Sequence, residues 1–308
     1  MKTIKPLLYQ PIAIVVVLAL SLRGFGWPSV THAQAPIPQQ QAIDWLISQQ
    51  REDGGWSDTL GPVSGAGITA DAVLALWANG VDLESLPASP LDFLESYTNR
   101  NALDLPTRFL PKLVLAALAG GRDLRDFGGV DLLTVMGQPP AGQWWGGDSY
   151  QHSLWLLAWA AADQPRPSAA LAQVVQAQRE DGSWLWGEVA QEVEAEGDPF
   201  STAMALLALA AWGDSNPAGE AWLLERVTSA GVALTAKSDP DAYTTATVLL
   251  ALRQQPKSNQ TLQAALLTFQ SDSGAFLYQA DGLENMGILM TPQVLLALAP
   301  KTLLDLGQ

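Results

Sequence analysis

The stretch from Gln176 to Leu209 reads QAQREDGSWLWGEVAQEVEAEGDPFSTAMALLAL. It ends one helix on Gln178-Arg179-Glu180-Asp181-Gly182-Ser183-Trp184 and crosses a loop carrying Glu188, Glu192, Glu194 and Glu196. It then enters an almost wholly apolar helix through Asp198-Pro199. Asp-Gly supplies the left-handed turn that stops a helix, and Asp-Pro reads as a cap followed by proline at the first helical position. The turn returns as Gln49-Gln50-Arg51-Glu52-Asp53-Gly54-Gly55-Trp56. It recurs more weakly as Gly142-Gln143-Trp144 and as Gln270-Ser271-Asp272-Ser273-Gly274-Ala275-Phe276. The helix-end glutamine is expected to bond exposed carbonyls or a neighbouring repeat, and the aromatic to pack back across the hairpin.

Outward from this unit, six apolar runs share one frame. They align on Ala75-Leu76, Ala117-Leu118, Ala158-Trp159, Ala208-Leu209, Ala251-Leu252 and Ala297-Leu298; six residues before each alanine stand Thr69, Pro111, His152, Thr202, Thr245 and Thr291. Six more polar segments between the runs bury one stripe each, as in Ile43, Leu46 and Ile47 or Leu171, Val174 and Val175. One-sided stripes describe outer helices, and runs without charge on any face describe inner ones. The stripe near Asp123 to Met136 is the weakest, because Gly128-Gly129 interrupts it. A period of about 45 residues lies in the range of helical repeats. The expectation is one all-α domain over residues 34–308, a closed (α/α)6 toroid of six hairpins with inner and outer helix rings. An open solenoid of helix pairs is the competing arrangement.

Residues 1–33 read as a secretory signal peptide. Lys2 and Lys5 precede an apolar run, Ile12 to Leu22, and a small-residue site at Thr31-His32-Ala33. Eleven apolar residues are too few for a bilayer core, which needs about 20, so cleavage after Ala33, a secreted location and no membrane insertion are expected. Loss of Lys2, Lys5 and Arg23 moves the formal charge from −15 to −18. So acidic a chain lacks the Lys/Arg surface that nucleic acid demands. With no cysteine, stability has to come from a large core.

The Trp45-Leu46…Gln49-Gln50…Asp53-Gly54-Gly55-Trp56 repeat and its copy at Gln178 to Trp184 resemble the glutamine-tryptophan repeats of squalene–hopene cyclases. That superfamily also holds protein prenyltransferase β-subunits and the cobalamin carriers. The resemblance covers residues 40–300 and implies an α/α toroid. Its catalytic motifs transfer poorly. The protonating cyclases carry Asp-x-Asp-Asp ahead of Thr-Ala, and the best match, Asp241-Ala242-Tyr243-Thr244-Thr245-Ala246, keeps only the first acid. Tyr243 stands where the resemblance puts the proton donor. Such cyclases also resemble tandem toroids about twice this long. Prenyltransferase zinc needs cysteine and histidine, but this chain has no cysteine and, past the signal segment, only His152; no zinc or other metal is expected.

Asp148, Asp198 and Asp241 each stand four residues before the repeat position. They read as helix caps or as a ring of carboxylates at one mouth, and are the weak catalytic candidates. Asp239 with Asp241 suggests a hard-cation pair, or Asp239-Pro240 a cap. The acidic loop reads as a solvated connection, a lid over the mouth or a calcium site. Trp145, Trp186, Tyr150, His152, Phe200 and Tyr243 form the candidate ligand-lining set. The leading expectation is an exported, non-catalytic toroid whose central cavity binds an apolar or planar ligand, an isoprenoid-like lipid or a corrinoid. The alternatives are a divergent terpene cyclase/mutase or a glycan-active α/α-barrel enzyme, and a cell-surface protein-interaction module with a packed cavity.

Overall fold

The computed structural model describes residues 38–58, 63–140, 142–185, 196–283 and 286–307. The signal-like segment, Trp186 and the loop acids Glu188, Glu192 and Glu194 lie outside the described residues. Among the described residues the even-numbered α-helices are α2 (Ala66–Ala78), α4 (Leu110–Ala119), α6 (Ser149–Ala161), α8 (Pro199–Ala210), α10 (Ala242–Ala251) and α12 (Gly287–Leu298). The odd-numbered are α1 (Pro38–Ser48), α3 (Pro90–Arg100), α5 (Leu132–Met136), α7 (Ser168–Gln176), α9 (Pro217–Leu224) and α11 (Pro256–Leu267).

The two sets bury themselves as their compositions require. On α8 every residue from Pro199 to Leu209 is buried, whereas α7 buries only Ala170, Leu171 and Val174. A helix apolar all round is stable only when surrounded. The six even helices therefore stand side by side, and α12 packs back against α2, which closes the ring. The fold is an all-α, closed α/α toroid, and the open solenoid is excluded.

The outer partner of each inner helix is the helix that follows it: α3 on α2, α5 on α4, α7 on α6, α9 on α8 and α11 on α10. The last pair takes α1 against α12, so the ring is seamed by both ends of the repeat array. Gln39 Nε2 donates to Asn79 Oδ1 across that seam, and Asn79 Nδ2 donates to the Leu295 carbonyl at 3.0 Å. The weak third stripe is a single short helix: α5 begins only at Leu132, capped by Asp131, after a Phe127–Val130 bridge turn.

One bonding scheme repeats between the layers. Gln50 Nε2 donates to the Gly54 carbonyl at 3.0 Å and to Ala88, just ahead of α3, at 2.8 Å. Gln178 does the same to Gly182 and to Asn216, the cap of α9, and Gln270 to Gly274 and Pro38 of α1. The glutamine thus ties its own turn and the neighbouring repeat at once. The turn glycines leave no alternative, because a Cβ on Gly54, Gly182 or Gly274 would stand 2.4, 2.6 and 2.6 Å from the carbonyl oxygens of Ser89, Ala218 and Gln41. Their φ values of +86°, +93° and +98° also disfavour a side chain.

Trp56 and Trp184 lock the layers together. Their indole N–H groups donate to the outer-helix carbonyls of Leu46 and Val174, both at 2.8 Å. Their backbone N–H groups donate to Thr69 and Thr202 Oγ1, both at 3.0 Å. Val232 and Phe276 use Thr245 and Thr291 in the same way. The repeated threonine is the acceptor for an otherwise orphaned buried N–H, a group whose loss costs more than an ordinary hydrogen bond contributes.

Candidate functional site

Three lining layers follow from the repeat frame. Two residues before the repeat position, Tyr150, Phe200 and Tyr243 face the axis; two after it stand Asp71, Leu154, Met204, Thr247 and Gln293. Five after it come Leu74, Leu157, Leu207, Leu250 and Leu296, while α4, with Pro111 in the frame, adds Lys112 and Leu115. Steps of four and three residues keep one face of a helix, which is why α6, α8 and α10 each offer one side chain to all three layers and α2 and α12 to the lower two. Leu303, beyond α12, closes the base.

The upper layer is an aromatic stack. Phe200 lies 5.4 Å from Tyr150 and 5.2 Å from Tyr243, ring centre to ring centre, and the two tyrosine hydroxyls share a hydrogen bond. Beside it Lys112 Nζ donates to Asp71 Oδ2 at 2.7 Å, with the two side chains 17% and 14% exposed. Burial pushes the Lys112 ammonium down, but the Asp71 carboxylate and the Tyr243 phenol together outweigh it and the net shift is upward. Lys112 therefore stays charged at neutral pH. Burial drives the Tyr150 and Tyr243 phenols above their ordinary range.

This arrangement limits the chemistry. Protonating an alkene needs a strong, neutral acid aimed into the cavity; Tyr243, in the donor's place, is a phenol made weaker still by burial. Glycoside cleavage needs two carboxyl groups roughly 5–10 Å apart across the bond. Asp71 is the one carboxylate among the described axial residues, and it is engaged by Lys112. The cavity measures about 40 Å³. A water needs roughly 10–15 Å³ of such space, whereas sites for drug-sized ligands run to about 300–1,000 Å³. Where a central cavity for an isoprenoid or a corrin is expected, the aromatic stack and the leucine layer fill most of the axis in this structure.

The other candidates take different places. Asp148, Asp198 and Asp241 cap α6, α8 and α10, accepting from the backbone N–H groups of Gln151, Ser201 and Thr244 at 2.7, 2.6 and 2.7 Å. None of the three lines the axis. Burial raises the Asp241 carboxyl, partly offset by the Thr244 N–H. Asp239-Pro240 is not a cap, since Asp241 holds that position and Pro240 bridges to Ala233.

His152 and Trp145 belong to the layer junction. Trp145, not Trp144, is the repeat's own aromatic: its indole donates to the Met136 carbonyl at 2.9 Å and its backbone N–H to His152 Nδ1 at 2.9 Å. His152 thereby substitutes for the threonine, and its Nε2 faces the Ala170 carbonyl at 3.1 Å. That pairing needs the neutral ring with its proton on Nε2, and burial lowers its pKa in accord. Both residues leave the ligand-lining set for this reason. Trp155, Trp159 and Trp212 likewise bond backbone carbonyls, of Gly137, Pro165 and Leu156.

Of the six ligand-lining candidates, Tyr150, Phe200 and Tyr243 meet on the axis, while Trp186 lies outside the described residues. Asp71, Lys112, Thr247 and Gln293 were not singled out from the sequence. The signal was available: three of the four stand two residues past a repeat threonine, as polar breaks in apolar helices.

No protein-family model matches the chain, and no curated protein matches it. Solved structures do. A protein from Actinoplanes is 19% identical, with a TM-score of 0.58, over 84% of this chain and 97% of that one. The apo type II terpene cyclase MstE from Scytonema is 15% identical with a TM-score of 0.60, also over 84% of this chain and 97% of that one. A glycosidase in complex with glucose is 12% identical with a TM-score of 0.59, over 84% and 95%. The coverage corrects the argument from length, because a type II terpene cyclase of nearly this extent exists as one toroid. The chain has the α/α toroid fold that type II terpene cyclases and this glycosidase also have, and at these identities the likeness is one of fold.

Proposed function

We propose that this chain is an exported, non-catalytic toroid that binds an amphipathic, isoprenoid-like chain at its axis. The Asp71–Lys112 pair carries the reading. Placing two charges in a mostly apolar wall costs desolvation that their attraction only partly returns, and apolar replacements are often as stable or more so. A lone ion pair beneath an aromatic stack is suited to hold a polar end group, with the leucine layer against an apolar tail. A flat corrin fits a narrow axis less well than a chain, so the lipid is the favoured ligand class. That the described axial residues hold no strong proton donor and no second carboxylate supports binding over turnover, and the signal-like residues 1–33 support export.

Native mass spectrometry of the secreted protein, followed by solvent extraction, tests the reading. The expected result is an extractable apolar adduct that Lys112→Met weakens. A clean apo mass, with no uptake of polyprenyl alcohol or corrinoid, would sink it. Turnover of a polyprenyl substrate, abolished by Asp71→Asn, would favour the enzyme instead.

A further inference from the structure

A ligand can enter a filled axis only where something withdraws, and the segment after α12 is built to do so. From Ala299 to Gly307 the chain leaves α12 and ends against α6, the inner helix diametrically opposite in a ring of six. It thus straps the mouth formed by the C-terminal ends of the inner helices. Leu303 drops onto the axis, where it touches the cluster of Leu154, Leu157, Phe200 and Met204 and also the group of Ala78 and Leu296. Leu306 is 5% exposed. The Leu303 side chain thus occupies the end of an axis lined by leucines above it.

Contacts at both ends fasten the strap. Arg253 donates to the Ala299 and Pro300 carbonyls, and the Lys301 N–H reaches the Ala78 carbonyl at 3.4 Å. Lys301 Nζ sits 5.0 Å above the Trp77 ring. Thr302 and Asp305 close a capping box over the single turn Leu303–Asp305. At the far end Gly307, with φ +77°, presses so close to α6 that a Cβ would stand 2.1 Å from the Ala161 carbonyl oxygen. Fastened by the Arg253 guanidinium and the Lys301 contacts at one end and by close packing of Gly307 on α6 at the other, the strap is a part that releases as a unit without disturbing the inner ring.

We propose that residues 299–307 are an intramolecular stopper: Leu303 occupies the place of a ligand's apolar end, and the axis binds an apolar chain only when the strap withdraws. This rests on the axial binding reading above, and its test uses a dye that needs no natural ligand. The chain has no cysteine, so Leu306→Cys gives one labelling site that reports the strap. Nile red reports the opened axis.

Gly307→Ala should lift the strap from α6 without removing a core side chain, and Arg253→Gln should free its other end. In either variant, labelling at position 306 should quicken by about tenfold or more, and Nile red should bind about tenfold more tightly, as expected when the competent state is no longer rare. Helical circular dichroism should stay as in the parent. Leu303→Ser removes the plug alone, and should raise dye binding with no change in labelling. Faster labelling without a gain in dye binding would overturn the stopper. Unchanged labelling in both latch variants would overturn it equally, since those contacts are its hold. A dye-positive release variant whose parent yields a clean apo mass would retire the natural lipid and keep the gate.

Discussion

The layer junction and the axial wall are built on the same six inner helices, yet they follow opposite rules. At the junction, five of the six repeat positions answer one backbone N–H, so Thr69, Thr202, Thr245 and Thr291 recur and His152 does the same work through Nδ1, while Pro111 of α4 is the exception. On the axis no backbone group has to be met. There α6, α8 and α10 carry Tyr150, Phe200 and Tyr243, while α12, α2 and α4 carry Gln293, Asp71 and Lys112. Regularity marks where the fold has a fixed debt in hydrogen bonds; irregularity marks where side chains are free to specialise.

The sharpest break of that contrast is Trp184→Ala. It removes a buried indole, its bond to Val174 and the plug between layers, and should cost about 3–5 kcal/mol in denaturant unfolding. On the axis, Lys112→Met leaves Asp71 largely buried and unpaired and should cost about 3 kcal/mol, whereas Lys112→Met with Asp71→Leu should return close to the parent. Equal losses in the single and double variants would mean the pair is structural, and that the axis obeys the junction's rule.

The smallest effect is the pH dependence of His152. Burial depresses its folded pKa, so the unfolded chain binds more protons once the pH falls below the unfolded value of about 6.5. Stability from this group is complete above that pH and drains away below it, by at most about 1.4 kcal/mol per pH unit. His152→Thr should keep the bond to Trp145 and flatten the slope between pH 7 and 5. A slope unchanged in the variant would assign it to other groups.

The toroid was legible because its signals are periodic. Turn glutamines, turn glycines and the repeat threonine each return at fixed offsets, and each has a backbone reason to do so. The axial aromatics were legible for the same reason, standing two residues before that threonine. Trp145 was misplaced by one residue because the third turn has a tryptophan doublet and no Gln-x-x-x-Gly to fix the frame. Lys112 was hidden because proline replaces the threonine in α4, and Asp71 because an acid on an inner helix reads first as an outward charge. The pairing of α1 with α12 was beyond any local pattern, since nothing in either helix names the other.

That pairing has a kinetic consequence. The first of the described helices, α1, has as its layer partner the last of the described inner helices, α12. Between Ser48 and Gly287 lies most of the molecule, so closing that contact carries a large loop-closure cost and slows assembly. Until it happens the array is an open arc with α12 uncovered on one side. The seam at Gln39, Asn79 and Leu295 joins α1, α2 and α12, so the ring closes only once helices from both ends of the repeat array are in place.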